Sequence, residues 1–308
     1  MKTIALESAP ELFRGCVAPG VRMSPALLAF YGEPEKRLLR ARCGTGVRLA
    51  LITDASEIEF GFTFGGAARQ IFTADLQVDG RLFAPVTGEG PHRIALGPGE
   101  KELVLHLPHL VVTEKFTFRV SDGAQVRPAP RPARKLLICG DSIMQGMTCT
   151  APTKAVGTLL AASLGMDFHN TSVGGAVMSG KAVRETLALG GDAVVVGFGI
   201  NDVFLNTPPE KFRAETEAVF RSLAAFPGKA FLVTPIPSLA KGEEPVAPLR
   251  QVIREVGKTY PRVTLIEGPA LFPAEAGLFV DGTHPNDQGM AVYAKALGAV
   301  MGPELRQS

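Results

Sequence analysis

The chain has 308 residues, and 46% of them are hydrophobic, enough to fill two cores. Lys plus Arg total 32 against 30 for Asp plus Glu, a formal charge of +2. That balance gives no electrostatic basis for a nucleic-acid or anionic-membrane partner, and no apolar run is long enough to cross a bilayer.

The first residues, Met-Lys-Thr-Ile-Ala-Leu-Glu, reach an acidic side chain before any apolar run develops. This does not read as a secretory signal, so a cytoplasmic location is expected. Cys16, Cys43, Cys139 and Cys149 show neither C-x-x-C spacing nor a His at metal-ligand spacing, which points to no metal site and to free thiols, with a disulfide as the alternative. A short helix is expected over 24–31. Period-two alternation then dominates. Ile58, Phe60, Phe62 and Phe64 fall on one face of a strand. Leu76 and Val78 lead into Asp79-Gly80, a hairpin dipeptide, and Leu82 and Phe83 follow it. Leu103, Leu105 and Leu107 alternate, as do Phe116, Phe118 and Val120. Such runs, bounded by Gly, Pro and Asp, predict an antiparallel β-sandwich of jelly-roll type over 1–127.

Three alternating prolines in 128–134 disfavour helix and predict an extended linker. Beyond it, over 135–308, the rhythm changes. Apolar strands are expected at 135–139, 167–173, 192–197, 230–233 and 263–266. Helices are expected at 154–164, 181–189, 209–226 and 246–258, with a last one after Asn286. In that last helix Met290, Tyr293, Ala294 and Leu297 keep helical spacing. Continuous apolar strands alternating with amphipathic helices predict a five-stranded parallel sheet covered on both faces, a three-layer α/β/α domain. By analogy the strand order is flavodoxin-like, 2-1-3-4-5.

In such a sheet, ligands bind beyond the carboxyl ends of the strands. Four segments there carry chemistry. Gly140-Asp-Ser-Ile-Met-Gln-Gly146 puts Ser142 at a strand-to-helix turn, although alone it reads as a helix cap. Asn170-Thr-Ser-Val-Gly-Gly175 offers a backbone that can approach a ligand closely, although a lone glycine pair is an ordinary loop. Gly199-Ile-Asn-Asp202 offers the Asn201 amide, in a setting where Asn is also common in turns. Asp281-Gly-Thr-His284 places a carboxylate where it can orient an imidazole. Each signal is modest, but all four fall on one sheet edge. His92, His106, His109 and His169 have no partner at such spacing; His106 and His109, beside Pro108 at a strand end, are expected to be structural, with a place for His109 at the rim of the cleft as the lesser alternative. Asp141 and Asp202 are expected to hold loop backbone.

Together these four segments resemble the SGNH, or GDSL-type, hydrolases. Gly140-Asp-Ser-Ile-Met-Gln-Gly146 matches the first block of that family, Gly175 the second, Asn201 the third and Asp281-Gly-Thr-His284 the fourth, in the family's order. Gly174 is the alternative to Gly175 as an oxyanion donor. The resemblance runs from Lys135 to the C-terminus, and the two-domain layout is similar to bacterial carbohydrate esterases with an N-terminal β-sandwich. It implies a carboxylic ester hydrolase with Ser142 as nucleophile, His284 as base and Asp281 as the acid orienting it. Ser142, Gly175 and Asn201 would form the oxyanion hole. No cofactor is implied, and the partner is a small-molecule ester, with an acetylated carbohydrate or other short acyl ester preferred. A thioesterase or lysophospholipase, and an inactive carbohydrate-binding protein, are the alternatives. The sequence carries no sign of oligomeric state.

Overall fold

The computed structural model describes residues 1–306. The chain divides into two compact units. One comprises Met1–Pro132 with Thr150–Thr153, and the other Ala133–Cys149 with the described residues from Lys154 onward.

The first unit contains β1 (Lys2–Thr3), β2 (Phe13–Arg14), α1 (Pro25–Phe30), α2 (Glu35–Arg42), β3 (Arg48–Thr53), β4 (Glu57–Ala67) and β5 (Thr73–Val78). It continues with β6 (Arg81–Thr87), β7 (His92–Ala95), β8 (Lys101–His106), β9 (Val111–Val120) and β10 (Val126–Pro128). One sheet has the order β1-β9-β4-β7. The other runs β10-β3-β8-β5-β6, with β2 paired to β3. All pairings in both sheets are antiparallel.

Alternation on β4 sends Ile58, Phe60 and Phe62 inward. Phe60 faces Phe118 and Phe62 faces Phe116 across the ladder, and the second pair stacks at 5.3 Å between centroids. Leu49, Leu51, Leu76, Leu103 and Leu105 from the opposite sheet join the same apolar cluster, which makes the unit a β-sandwich. At the β5–β6 hairpin both Asp79 and Gly80 have positive φ, 51° and 75°, as a two-residue turn of this hand requires. Leu82 and Phe83 emerge from it exposed, because β6 is the edge of its sheet. The proline-rich segment is partly structured. Pro128 pairs with Leu51, the Ala129 N–H donates to Ala50 O, and Arg131 donates to Phe13 O.

The second unit begins with β11 (Lys135–Gly140), α3 (Ser142–Gln145), α4 (Val156–Leu164), β12 (Asp167–Asn170), α5 (Gly180–Leu187), β13 (Ala193–Gly197) and α6 (Ile200–Phe204). Then come α7 (Pro209–Ala224), β14 (Lys229–Val233), α8 (Ala247–Gly257), β15 (Val263–Ile266), α9 (Gly268–Leu271) and α10 (Asp287–Arg306). The strands are parallel in the order β12-β11-β13-β14-β15, the expected 2-1-3-4-5. Leu136 through Cys139 on β11 and Ala193 through Val196 on β13 are all inaccessible, so period two is absent where both faces are covered. On α10, Met290, Tyr293, Ala294 and Leu297 are buried in the core.

Two details depart from expectation. β12 ends at Asn170 and not at residue 173, because the Asn170 side chain accepts from the Ser172 N–H and bends the chain. On α8 the inward face includes Arg250, whose Nε donates to Pro235 O at 2.7 Å and whose guanidinium also pairs with Glu243.

Candidate active site

Chain order reverses between β12 and β13, on either side of β11, so the loops after β11 and β13 flank the crevice of this sheet. Ser142 sits in the first of them, at the head of α3. Gly140 permits the turn: a Cβ there would lie 2.4 Å from Gly197 O. Asp141 caps the helix by accepting the Ile143 N–H at 2.9 Å, and Gly146 ends it in the left-handed region at φ 76°. The Ser142 N–H, in the first turn, has no acceptor among the described residues.

Ser142 Oγ lies 2.8 Å from His284 Nε2, and His284 Nδ1 lies 2.8 Å from Asp281 Oδ2. These three side chains come from the loop after β11 and from the loop leading into α10, 142 residues apart along the chain. The second loop is built by local bonds. Asp281 Oδ1 accepts the N–H groups of Thr283 and His284 at 3.0 and 2.8 Å. Gly282 takes φ 76° between them. The Val280 N–H donates to His284 O, and Asn286 Oδ1 accepts from the Gly289 N–H at the head of α10. Partial burial works against the Asp281 charge. Hydrogen bonds from the His284 backbone and ring and from Thr283 outweigh it and hold the carboxyl below its usual range.

The loop after β12 is tied to the loop of Ser142. Asn170 Nδ2 donates to Met144 O at 2.8 Å, and the Val173 N–H donates to Gly140 O. The Gly174 N–H donates to Gln145 Oε1 at 2.7 Å. Gly175, at φ 80°, has an N–H without an acceptor among the described residues. Asn201 lies on α6, after β13. Its Nδ2 donates one hydrogen to Ala176 O at 2.8 Å, which fixes the amide and leaves the second hydrogen unused.

Asp202 Oδ2 accepts the Met178 N–H, which secures the far side of the same loop. Burial raises the Asp202 carboxyl, and burial pushes Asp141 up to about 7, with the Asp202 charge adding to the rise. The structure therefore brings Ser142, His284 and Asp281 into one hydrogen-bonded line. Gly175 and Asn201 lie in the two neighbouring loops. Sequence reasoning assigned no role to Gln145 or Asn170. Both are buried polar residues whose partners lie 29 and 26 positions away, so no local spacing marks them. His92 and His106 bind Gly88 O and Gln77 Oε1 inside the first unit. Among the described residues no group of His, Cys, Asp and Glu is arranged to hold a metal ion, and no helix is long and apolar enough to cross a membrane.

No curated protein matches the chain. Solved structures do, and at this level of identity they bear on the fold. A GDSL-like lipase from Bacteroides ovatus aligns at 20% identity over 96% of each chain, with a TM-score of 0.80. The salicylyl-acyltransferase SsfX3 of a tetracycline biosynthetic pathway aligns at 20% identity over 95% of this chain and 94% of its own, at 0.77. A carbohydrate esterase family 2 enzyme with a carbohydrate-binding domain, from Corynascus thermopiles, aligns at 19% identity over 85% of this chain and 94% of its own, at 0.65. The profile of the GDSL-like lipase/acylhydrolase family matches residues 138–292, half of the chain, a span that holds Ser142, Asn201, Asp281 and His284. The chain belongs to the GDSL-like lipase/acylhydrolase family and is a carboxylic ester hydrolase.

Proposed function

We propose that this hydrolase cleaves short acyl esters of a carbohydrate or another small alcohol through a Ser-His-Asp acyl-enzyme. The observation that carries the reading is the unbroken line from Ser142 Oγ through the His284 ring to Asp281, 2.8 Å at each step. Ser142 Oγ attacks the ester carbonyl while His284 Nε2 takes its proton. Asp281, held anionic, fixes the proton on Nδ1 and stabilises the imidazolium as it forms. The tetrahedral oxyanion is received by the N–H groups of Ser142 and Gly175 and by the second amide hydrogen of Asn201. All three donors are without acceptors among the described residues. Gly174 is the weaker candidate, because its N–H is already committed to Gln145. Protonated His284 then delivers its proton to the departing alcohol, and water, deprotonated by the same ring, releases the acid.

An acetyl xylan esterase among the structural relatives supports a short acyl group as the first substrate to try. Hydrolysis of p-nitrophenyl acetate, followed in parallel with labelling by a fluorophosphonate probe, tests the reading. The expected outcome is turnover blocked by the probe, with the label on Ser142. Turnover that survives complete labelling of Ser142 would contradict it.

A further inference from the structure

Among the described residues of the second unit, the large apolar side chains left exposed are Phe204, Leu205, Leu239, Val280 and Val300. Apart from Val300, Phe204 ends α6 and Leu205 follows it beyond the carboxyl end of β13, Leu239 lies in the loop after β14, and Val280 lies in the loop bearing Asp281 and His284. A soluble surface scatters such residues, so their concentration around one reaction centre calls for a ligand.

Contacts join them to the acid–base pair. The Val280 N–H donates to His284 O at 2.9 Å, so Val280 is fixed beside the imidazole's own backbone, and its side chain is 60% exposed. The Ala240 N–H donates to Gly282 O, between Asp281 and His284, and a Cβ at Gly282 would lie 3.5 Å from the Leu239 Cβ. Lys241, next in that loop, places Nζ 4.4 Å from the centre of the Phe204 ring. Phe204 in turn sits one turn of α6 after Asn201, and the Leu205 N–H donates to Asn201 O. Arg250 anchors the loop that carries Leu239 through Pro235 O and Glu243. The surface is therefore a set of side chains on pinned backbone, continuous with the loop of His284.

The chemistry decides which part of the ester this surface meets. His284 must pass its proton to the leaving oxygen, so the alcohol lies on the His284 side of the scissile bond. The exposed side chains carried by the His284 loop and by the loop bonded to it include the apolar Leu239 and Val280, while Lys241 stands over the ring of Phe204. The chain has no Trp and three Tyr, none of them placed as a stacking platform for a sugar. Tyr31 and Tyr293 are buried, and Tyr260 stacks on Phe220 just ahead of the amino end of β15.

We propose that Phe204, Leu239 and Val280 receive the alcohol portion of the ester, and that this alcohol is an alkyl or arylalkyl group and not a sugar. The proposal rests on the acyl-enzyme reading above and narrows its substrate. Methyl, butyl, hexyl and benzyl acetates, with 6-O-acetylglucose, form the test series, run beside fluorophosphonate labelling of Ser142. From methyl to hexyl or benzyl acetate, kcat/KM should rise about tenfold or more, with 6-O-acetylglucose near or below the methyl ester. Leu239→Ser and Val280→Ser, both at exposed positions that tolerate a polar side chain, should each cut the hexyl-to-methyl ratio about fivefold. A flat alcohol series with Ser142 labelled normally would overturn the alcohol assignment and leave the acyl-enzyme intact. So would a preference for the sugar acetate, or substitutions that flatten an acyl-length series of methyl esters instead. Absence of label on Ser142 would remove both.

Discussion

The two loops that meet at the hydroxyl–imidazole contact are built in opposite ways. The Ser142 loop is buried and held from a distance: Asp141, Ser142 and Gln145 are almost inaccessible, and the ties from Asn170 and Gly174 come from another strand's loop. The His284 loop is open and holds itself. Asp281 has half of its side chain exposed, and its bonds reach only two and three residues along the chain. One region borrows rigidity from the sheet core. The other makes it from an Asx-type turn closed by the Val280–His284 bond. The Ser142 hydroxyl is thus presented on a fixed floor, and the Asp281–His284 pair is held against it by short-range geometry that needs little of the core.

Substitutions can break this comparison, and the first should fail outright. Ser142→Ala removes the attacking oxygen and should lower kcat by about 10⁶-fold in steady-state assay. A loss under tenfold would mean that another group attacks. Asp281→Asn keeps the acceptor for the two backbone N–H groups but loses the charge opposite Nδ1. It should cost about 10⁴-fold in kcat. Because that loop is exposed and self-supporting, Tm should stay within a degree or two of wild type, which is a small change for a surface site. A large drop in Tm would show that the loop leans on the core after all.

Asn201→Ala should cost about 10²–10³-fold in kcat, the usual worth of one oxyanion donor. If its KM rises and kcat does not fall, Asn201 binds the ground state and not the developing anion. On the buried side, Gln145→Ala strands the Gly174 N–H and should lower unfolding free energy by about 1–3 kcal/mol in denaturant titration. That contrasts with Asp281→Asn, which should spare stability while removing activity. Equal stability losses in the two variants would erase the distinction drawn between the loops.

A separate effect is electrostatic and reads out only against pH. Asp141 has its carboxyl raised from 3.8 to about 7 in the folded protein. A raised carboxyl holds its proton more tightly when folded, so its contribution to stability is complete below about pH 4 and is lost as pH rises through about 7. Asp141→Asn keeps an acceptor for the Ile143 N–H and removes the titration. Relative to this variant, wild type should lose stability between pH 4 and 7 and then level off. Parallel stability curves would show that Asp141 does not titrate in this window.

The same contrast explains what could be read from the sequence. The Asp281–His284 pair was legible because its geometry is set within four residues. The parallel sheet and its order were legible because five unbroken apolar runs alternate with helices such as α10. Ser142 was legible only in company with the other three segments. Gln145, Asn170 and Arg250 were not, because each is a polar side chain paid for by a partner that only the fold brings near. Likewise, alternation on β4 revealed the sandwich, but nothing in Leu82-Phe83 announced that β6 would lie at an edge and leave both exposed. The Pro128 segment shows the same limit, since its pairing with Leu51 is set by the sheet and not by its own residues.

In the proposed reaction Ser142 Oγ, deprotonated by His284, carries the acyl group between attack and release. Rapid quench of the enzyme during p-nitrophenyl acetate turnover, followed by intact-mass and peptide analysis, tests this directly. One added acetyl group is expected, located on Ser142 and absent in His284→Ala. Sustained turnover with unmodified Ser142, or an acetyl group on another residue that decays at the rate of turnover, would contradict it.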